Sequence, residues 1–195
     1  MIYLDNSATS FRKPPGVYRA VERAMYTCAN PGRGGYPAAM EASETVYACR
    51  EAAAELFHCR PEQVALTTSC THGLNIAIRS IVKPGGRVIV SGFEHNAVTR
   101  VLHHFEQLGQ ITVTELTVSE SLEYDMVRIR YQFDAIRPDL VIVSHASNVI
   151  GLVAPVEDIF ALSKEYGAVT LVDMAQTAGP VSYTHLRAHE TVLDL

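Results

Sequence analysis

Asp173 closes the short apolar run Val169 to Asp173, reading VTLVD, and Gln176 follows three residues later. An apolar strand buried on both faces tolerates a charge at its tip only where water or a cationic partner satisfies it. The pair is therefore either a ligand anchor or the solvated opening of a loop. Three further stretches end in the same way. Arg87 to Ser91 runs into Gly92-Phe93-Glu94-His95-Asn96, and Leu140 to Ser144 delivers His145-Ala146-Ser147-Asn148. Val64 to Thr68 feeds Ser69-Cys70-Thr71-His72-Gly73. A strand that leads small hydroxylic residues into a helix presents backbone N–H groups and a positive dipole end, which suits a phosphate. Ser69 or Thr71 could equally serve as a plain N-cap. His95 could stack on a ring or move protons near neutral pH, or simply start its helix.

These groups need a scaffold that brings strand ends together. Leu140 to Ser144, the helical pattern Pro155 to Tyr166 and Val169 to Asp173 read as a βαβ unit, in which ligands sit beyond the carboxyl ends of parallel strands. Helices are expected after Ser69-Cys70, with Leu74, Ala77, Ile78 and Ile81 inward, and after Asn96, with Val101, Leu102, Phe105 and Leu108 inward. Another is expected over Asp125 to Ile136. Ile111 to Leu116 alternates as an outer strand. Nearer the N-terminus, Pro14-Pro15 starts a helix whose stripe Val17, Ala20, Val21, Ala24, Met25 and Cys28 is expected to pack as core, and a longer helix runs from Pro37 to about His58. Between them, NPGRGGY (residues 30–36) is an irregular loop. Its Arg33 either holds an anion or is solvated.

Composition bounds the class. The 195 residues are 48% hydrophobic and carry a formal net charge of −5, enough for one domain with a sizeable core. Basic residues are interspersed rather than blocked, so nucleic acid is not an expected partner. No apolar run approaches the roughly 20 residues of a membrane span, and MIYLDNSAT lacks a signal-peptide pattern, so no membrane association and a cytoplasmic location are expected. Cys28, Cys49, Cys59 and Cys70 are too widely spaced for a CxxC pair, so no metal site is expected. The first three read as reduced, buried thiols.

Taken in order, YLDNSATS, NPGRGGY, TSCTHGLN, FEHNAV, SHASNVIGLVAP and LVDMAQTAG resemble the class V aminotransferase family, with the cysteine desulfurases most alike. The resemblance covers about residues 2 to 180. It implies an α/β fold, the fold type I large domain of enzymes that use pyridoxal 5'-phosphate (PLP), with a mostly parallel sheet and flanking helices, truncated before its last strands. It also implies roles. Asp173 would pair with the pyridinium nitrogen, and Gln176 and Asn148 would bond the ring hydroxyl side. His95 would lie over the ring as the catalytic proton-transfer group, and Cys70 and Thr71 would hold the phosphate, Cys70 through its backbone. Asn6, Ser7 and Ala8, with Arg33, would approach the amino-acid substrate. The implied reaction takes sulfur from L-cysteine, leaves L-alanine, and passes an enzyme-bound persulfide to a sulfur-acceptor protein; family resemblance also implies a homodimer.

In that family the lysine that forms the Schiff base with PLP lies beyond the VDxAQ strand, whereas the lysines here are Lys13, Lys83 and Lys164, none in such a context. The expectation is therefore an N-terminal piece over residues 1–180, with residues 182–195 an unrelated, artefactual tail, inactive alone. Missing neighbours should leave the Val64 strand and the outer edge of Val169 to Asp173 unpaired, and the chain poorly soluble. Alternatives are another class V aminotransferase, a selenocysteine lyase, or a noncatalytic binding fragment. A dinucleotide-binding domain is disfavoured because no GxGxxG follows a strand.

Overall fold

A computed structural model describes residues 2–179 and 191–193 and divides the chain into two units, residues 1–66 and 67–195. In the first unit, helix α1 (Pro15–Thr27) opens on proline, whose fixed φ suits the first turn, and helix α2 (Pro37–Phe57) does the same. Glu41 ties the two helices: it accepts from Thr27 Oγ1 at 2.8 Å and from Arg23 at 3.0 Å. The stripe on α1 is not core. The helix has no buried residue, and Val21 and Met25 are 56% and 80% exposed. Amphipathic spacing specifies an apolar face, but within this unit α1 has only α2 to cover it. The thiols also depart from expectation, since Cys49 is exposed and Cys28 and Cys59 are half-buried. Cys49 and Cys59 sit on or just beyond α2, whose small residues Ala39, Ala42 and Ala54 occupy the buried positions instead, and Cys28 caps the end of α1, which buries no residue.

The second unit is a parallel sheet with helices on both faces. Its strands are β1 (Gly86–Val90), β2 (Ile111–Glu115), β3 (Leu140–Ser144), β4 (Val169–Asp173) and β5 (Thr191–Leu193), in the order β2-β1-β3-β4-β5. Helices α3 (Cys70–Ile81), α4 (Asn96–Gln107), α5 (Met126–Ile136) and α6 (Val156–Glu165) connect them. Side chains alternate across a strand. Val88, Val90, Leu140, Ile142 and Leu171 therefore share one face, where they pack with Leu74 and Ile78 of α3 and Val98, Val101 and Leu102 of α4. Ile89, Val141, Val143 and Val172 point the other way, toward the side of α6, whose Ile159 and Phe160 are fully buried. Burial on both faces explains why β3 and β4 read as continuous apolar runs.

Two expectations about strands change. Residues 64–68 form no strand: Val64 is extended, with φ −89° and ψ 119°, but no described strand lies alongside to pair with it. A strand exists only through its neighbour's hydrogen bonds, so an apolar run without one stays an extended connector. The outer edge of β4 is covered, because Thr191–Leu193 pairs with Leu171–Asp173 in parallel. The rest of the proposed tail, including His185 and His189, lies outside the described residues. Among the described residues no helix is long and apolar enough to cross a membrane.

Candidate functional site

The chain folds back on itself between β1 and β3. From β1 it leaves through α4 to reach β2 on one side, while from β3 it leaves through α6 to reach β4 on the other. Such a reversal opens a crevice beyond the carboxyl ends of the two middle strands. Gly92 makes the departure from β1 at φ +87°, which a side chain would strain. Phe93, Glu94 and His95 follow at once.

His95 is the N-cap of α4, its Nδ1 accepting the Ala97 N–H at 3.1 Å. A ring nitrogen that accepts carries no proton, so the neutral imidazole bears its hydrogen on Nε2. Ser69 caps α3: its Oγ accepts from His72 N at 3.2 Å and its carbonyl from Gly73 N at 3.0 Å. The cap does not engage the N–H of Thr71. Of the two readings open from the sequence, capping at this helix start therefore does not exclude an anion at the Thr71 N–H. Thr71, His95, Asn75, Asn96, Arg79 and Arg100 line one cavity of about 470 Å³ between α3 and α4.

Asp173 is 6% exposed at the end of β4. Its Oδ1 accepts from the Ala175 N–H at 3.0 Å and from the Cys70 thiol at 3.6 Å. Among the described residues no lysine, arginine or histidine is ion-paired with it. Through Cys70 it meets the residue next to Thr71, so carboxylate and cavity are neighbours. On the adjacent strand end, the His145 ring shares a 3.0 Å hydrogen bond with Thr177 Oγ1, and the His145 N–H donates to the Asp173 carbonyl at 2.9 Å. Burial pushes the His145 pKa down, against an opposing pull from Glu157. Gln176 is half-buried in the turn after β4, and Asn148 is exposed in the turn after β3. Asn6, Ser7, Ala8 and Arg33 belong to the first unit. The first three form a turn in which Ala8 N donates to the Asp5 carbonyl at 3.2 Å, and all four residues are exposed.

Glu94 escaped the sequence reading. Its Oε1 accepts from the Ser144 N–H at 2.9 Å, the Ser91 N–H at 3.2 Å and the Ser91 hydroxyl, while Oε2 accepts the Ser144 hydroxyl at 2.6 Å. Burial raises its pKa, and the donors from Ser144 and Ser91 oppose that rise. Tyr124 adds a bond from its hydroxyl to the Ser91 carbonyl at 3.1 Å, and its own pKa is raised by burial first and the nearby Glu94 charge second. The available signal was a serine at the end of both middle strands, with a carboxylate three residues past one of them.

These residues fit a phosphorylated pyridine. A buried carboxylate whose partners among the described residues are neutral donors suits a cationic ring N–H, the Thr71 end of α3 suits a phosphate, and His95 lines the same cavity as Thr71.

The family model for Aminotransferase class-V matches residues 2–184, and the chain belongs to this family. Its fold is that of the PLP-dependent enzymes of fold type I, and PLP is the cofactor of the family. Within the family it is similar to the cysteine desulfurases IscS of Vibrio vulnificus, 32% identical over 93% of this chain and 46% of the relative, and Photobacterium profundum, 33% identical over 91% and 45%. Among solved structures, the apo cysteine desulfurase from Thermococcus onnurineus NA1 superposes with a TM-score of 0.84 at 24% identity, covering 93% of this chain and 46% of that one. SspA in complex with cysteine gives 0.79 at 27% identity, covering 90% and 51%. The chain spans about half the length of the curated relatives it matches.

Proposed function

We propose that residues 67–179 provide the cofactor-holding part of a PLP-dependent cysteine desulfurase site, with L-cysteine or a related amino acid as substrate and alanine and sulfur as products. One observation carries this reading: the buried Asp173 carboxylate, held by Cys70 and Ala175 with no cationic partner among the described residues, and linked through Cys70 to Thr71, which lines a cavity with His95. PLP, when bound, supplies an electron sink that stabilises negative charge at the substrate carbon. Asp173 would hold the ring nitrogen protonated. Thr71 and the backbone of Cys70 would grip the phosphate, Gln176 and Asn148 would approach the ring hydroxyl, and His95 would cover the ring and carry protons.

Asn6, Ser7, Ala8 and Arg33 form the substrate side in this reading. Residues 1–180 are the N-terminal part of the class V domain, and residues 182–195 a tail foreign to it. The names of the relatives support desulfuration over other class V reactions. A homodimer working in the cytoplasm with a sulfur-acceptor protein completes the proposal, and the exposed stripe of α1 is apolar surface of the kind a second protomer would cover.

The test is a titration of the 195-residue chain with PLP, followed by absorbance, against pyridoxal as control. Saturable PLP binding with pyridoxal at least about tenfold weaker supports the phosphate grip, a difference of about 1.4 kcal/mol. Equal binding of the two contradicts it. Substrate profiling of the whole protein, L-cysteine against L-selenocysteine and against amino-group transfer, separates the desulfurase from its class V alternatives.

A further inference from the structure

We propose that Glu94 is a positioning residue for His95, its carboxylate forming a rung across the crevice between β1 and β3, an inference that rests on the cofactor reading above. The sheet's own ladder stops short of this point. Its last bond between the two strands runs from the Ser91 N–H to the Ile142 carbonyl at 3.1 Å. Beyond it α4 and α6 carry the chain away on opposite sides of the reversal, so no backbone bond can hold the strand ends together. The Glu94 carboxylate replaces that missing rung with four donors, two from Ser91 and two from Ser144.

Those donors fix more than the sheet. His95 is the next residue, and the cap it places on Ala97 starts α4, whose Asn96 and Ala97 line the cavity. With its side chain anchored to both strands, Glu94 leaves the backbone entering α4 one path. The opposite end of the rung, Ser144, precedes His145 and pairs with Asp173 in the β3–β4 register. One carboxylate thereby sets the distance between the ring-covering histidine and the strand end that bears Asp173. A buried charge held by neutral donors costs more desolvation than an apolar pair would at a purely structural position. The expense is accounted for if the spacing of the crevice is what it secures.

The experiment compares Glu94→Ala, Glu94→Gln, His95→Ala and the double variant Glu94→Ala/His95→Ala by equilibrium dialysis with PLP. Without PLP, the long-range proton–nitrogen NMR spectrum of the His95 imidazole is read alongside. Glu94→Ala is expected to weaken PLP about tenfold, and the double variant no further than His95→Ala alone, because the two residues act as one unit. Glu94→Gln, which keeps an oxygen for the Ser144 and Ser91 N–H groups, is expected to restore affinity to within about threefold of the parent. The parent should show one His95 tautomer with the hydrogen on Nε2, Glu94→Ala a mixture, and Glu94→Gln the parent pattern.

Losses that multiply in the double variant would overturn the proposal. So would a Glu94→Ala chain that melts lower but keeps the parent's PLP affinity and His95 spectrum. If the parent binds no PLP, the cofactor reading falls, and the imidazole spectrum alone still decides the rung. Should Glu94→Ala fail to fold, Ser144→Ala removes one donor and must produce a smaller change of the same kind in both readouts.

Discussion

The Cys70 thiol donates to Oδ1 of Asp173 across 3.6 Å, linking the first turn of α3 to the tip of β4. The contact joins the two features that the sequence offered separately, a strand-end carboxylate and a turn suited to phosphate. It also gives Cys70 a part beyond its backbone, because the same oxygen takes the Ala175 N–H and the two donors together fix the carboxylate plane.

Cys70→Ser should therefore be nearly neutral, since a hydroxyl can make the same donation. Cys70→Ala removes one donor from a buried carboxylate and should cost about 1 kcal/mol, or roughly 2–4 °C in Tm for a chain of this size. Thermal melts of the two variants side by side check this, and an alanine variant as stable as the parent would show the thiol contact to be idle.

Ser69→Ala deletes the cap on His72 and should destabilise by about 0.5–2 kcal/mol. PLP affinity, measured well below the melting transition, should change by less than about threefold, because the cap and the proposed anion grip use different N–H groups. Urea unfolding paired with dialysis separates the two effects. A large loss of affinity in a variant with parental stability would place Ser69 itself in the phosphate site.

His145 gives a pH signature. Its pKa lies below the ordinary 6.5 because burial disfavours the charged ring. The unfolded chain takes up a proton as pH falls through 6.5, and the native state does not until its own lower pKa is reached. Stability therefore rises with pH across that window and is lost progressively below 6.5. Urea midpoints measured from neutral to mildly acidic pH should show this slope, and His145→Asn should flatten it. An unchanged slope would assign the acid sensitivity to other groups.

Leu171 is fully buried at the centre of β4, two residues before Asp173. Leu171→Ala should cost about 2–5 kcal/mol and loosen the strand that delivers the carboxylate. Both the urea midpoint and PLP affinity should fall. A stability loss with unaltered affinity would mean that Asp173 is held by its own hydrogen bonds rather than by the packing beneath it.

How much could be read in advance follows from what each element depends on. Leu140–Ser144 and Val169–Asp173 were legible to the residue, because a strand buried on both faces must be apolar along its length and turns polar where it leaves the sheet. The start of α3 and its inward face were legible from Ser69 and the Leu74, Ala77 and Ile78 spacing. Residues 64–68 misled, since strand propensity is local and pairing is not. The α1 stripe misled for a related reason: Val17, Val21 and Met25 mark an apolar face without saying what covers it. Glu94 stayed hidden because its meaning lies in Ser144, fifty residues further along, and no local pattern announces that the two meet.

The central claim is that Asp173 pairs with the ring nitrogen of PLP, and equilibrium dialysis of PLP against the parent chain and Asp173→Asn tests it most directly. Asparagine keeps the shape and surrenders the charge, so affinity should fall at least about tenfold while the Tm stays within a few degrees of the parent. Equal affinity in the two proteins would contradict the account.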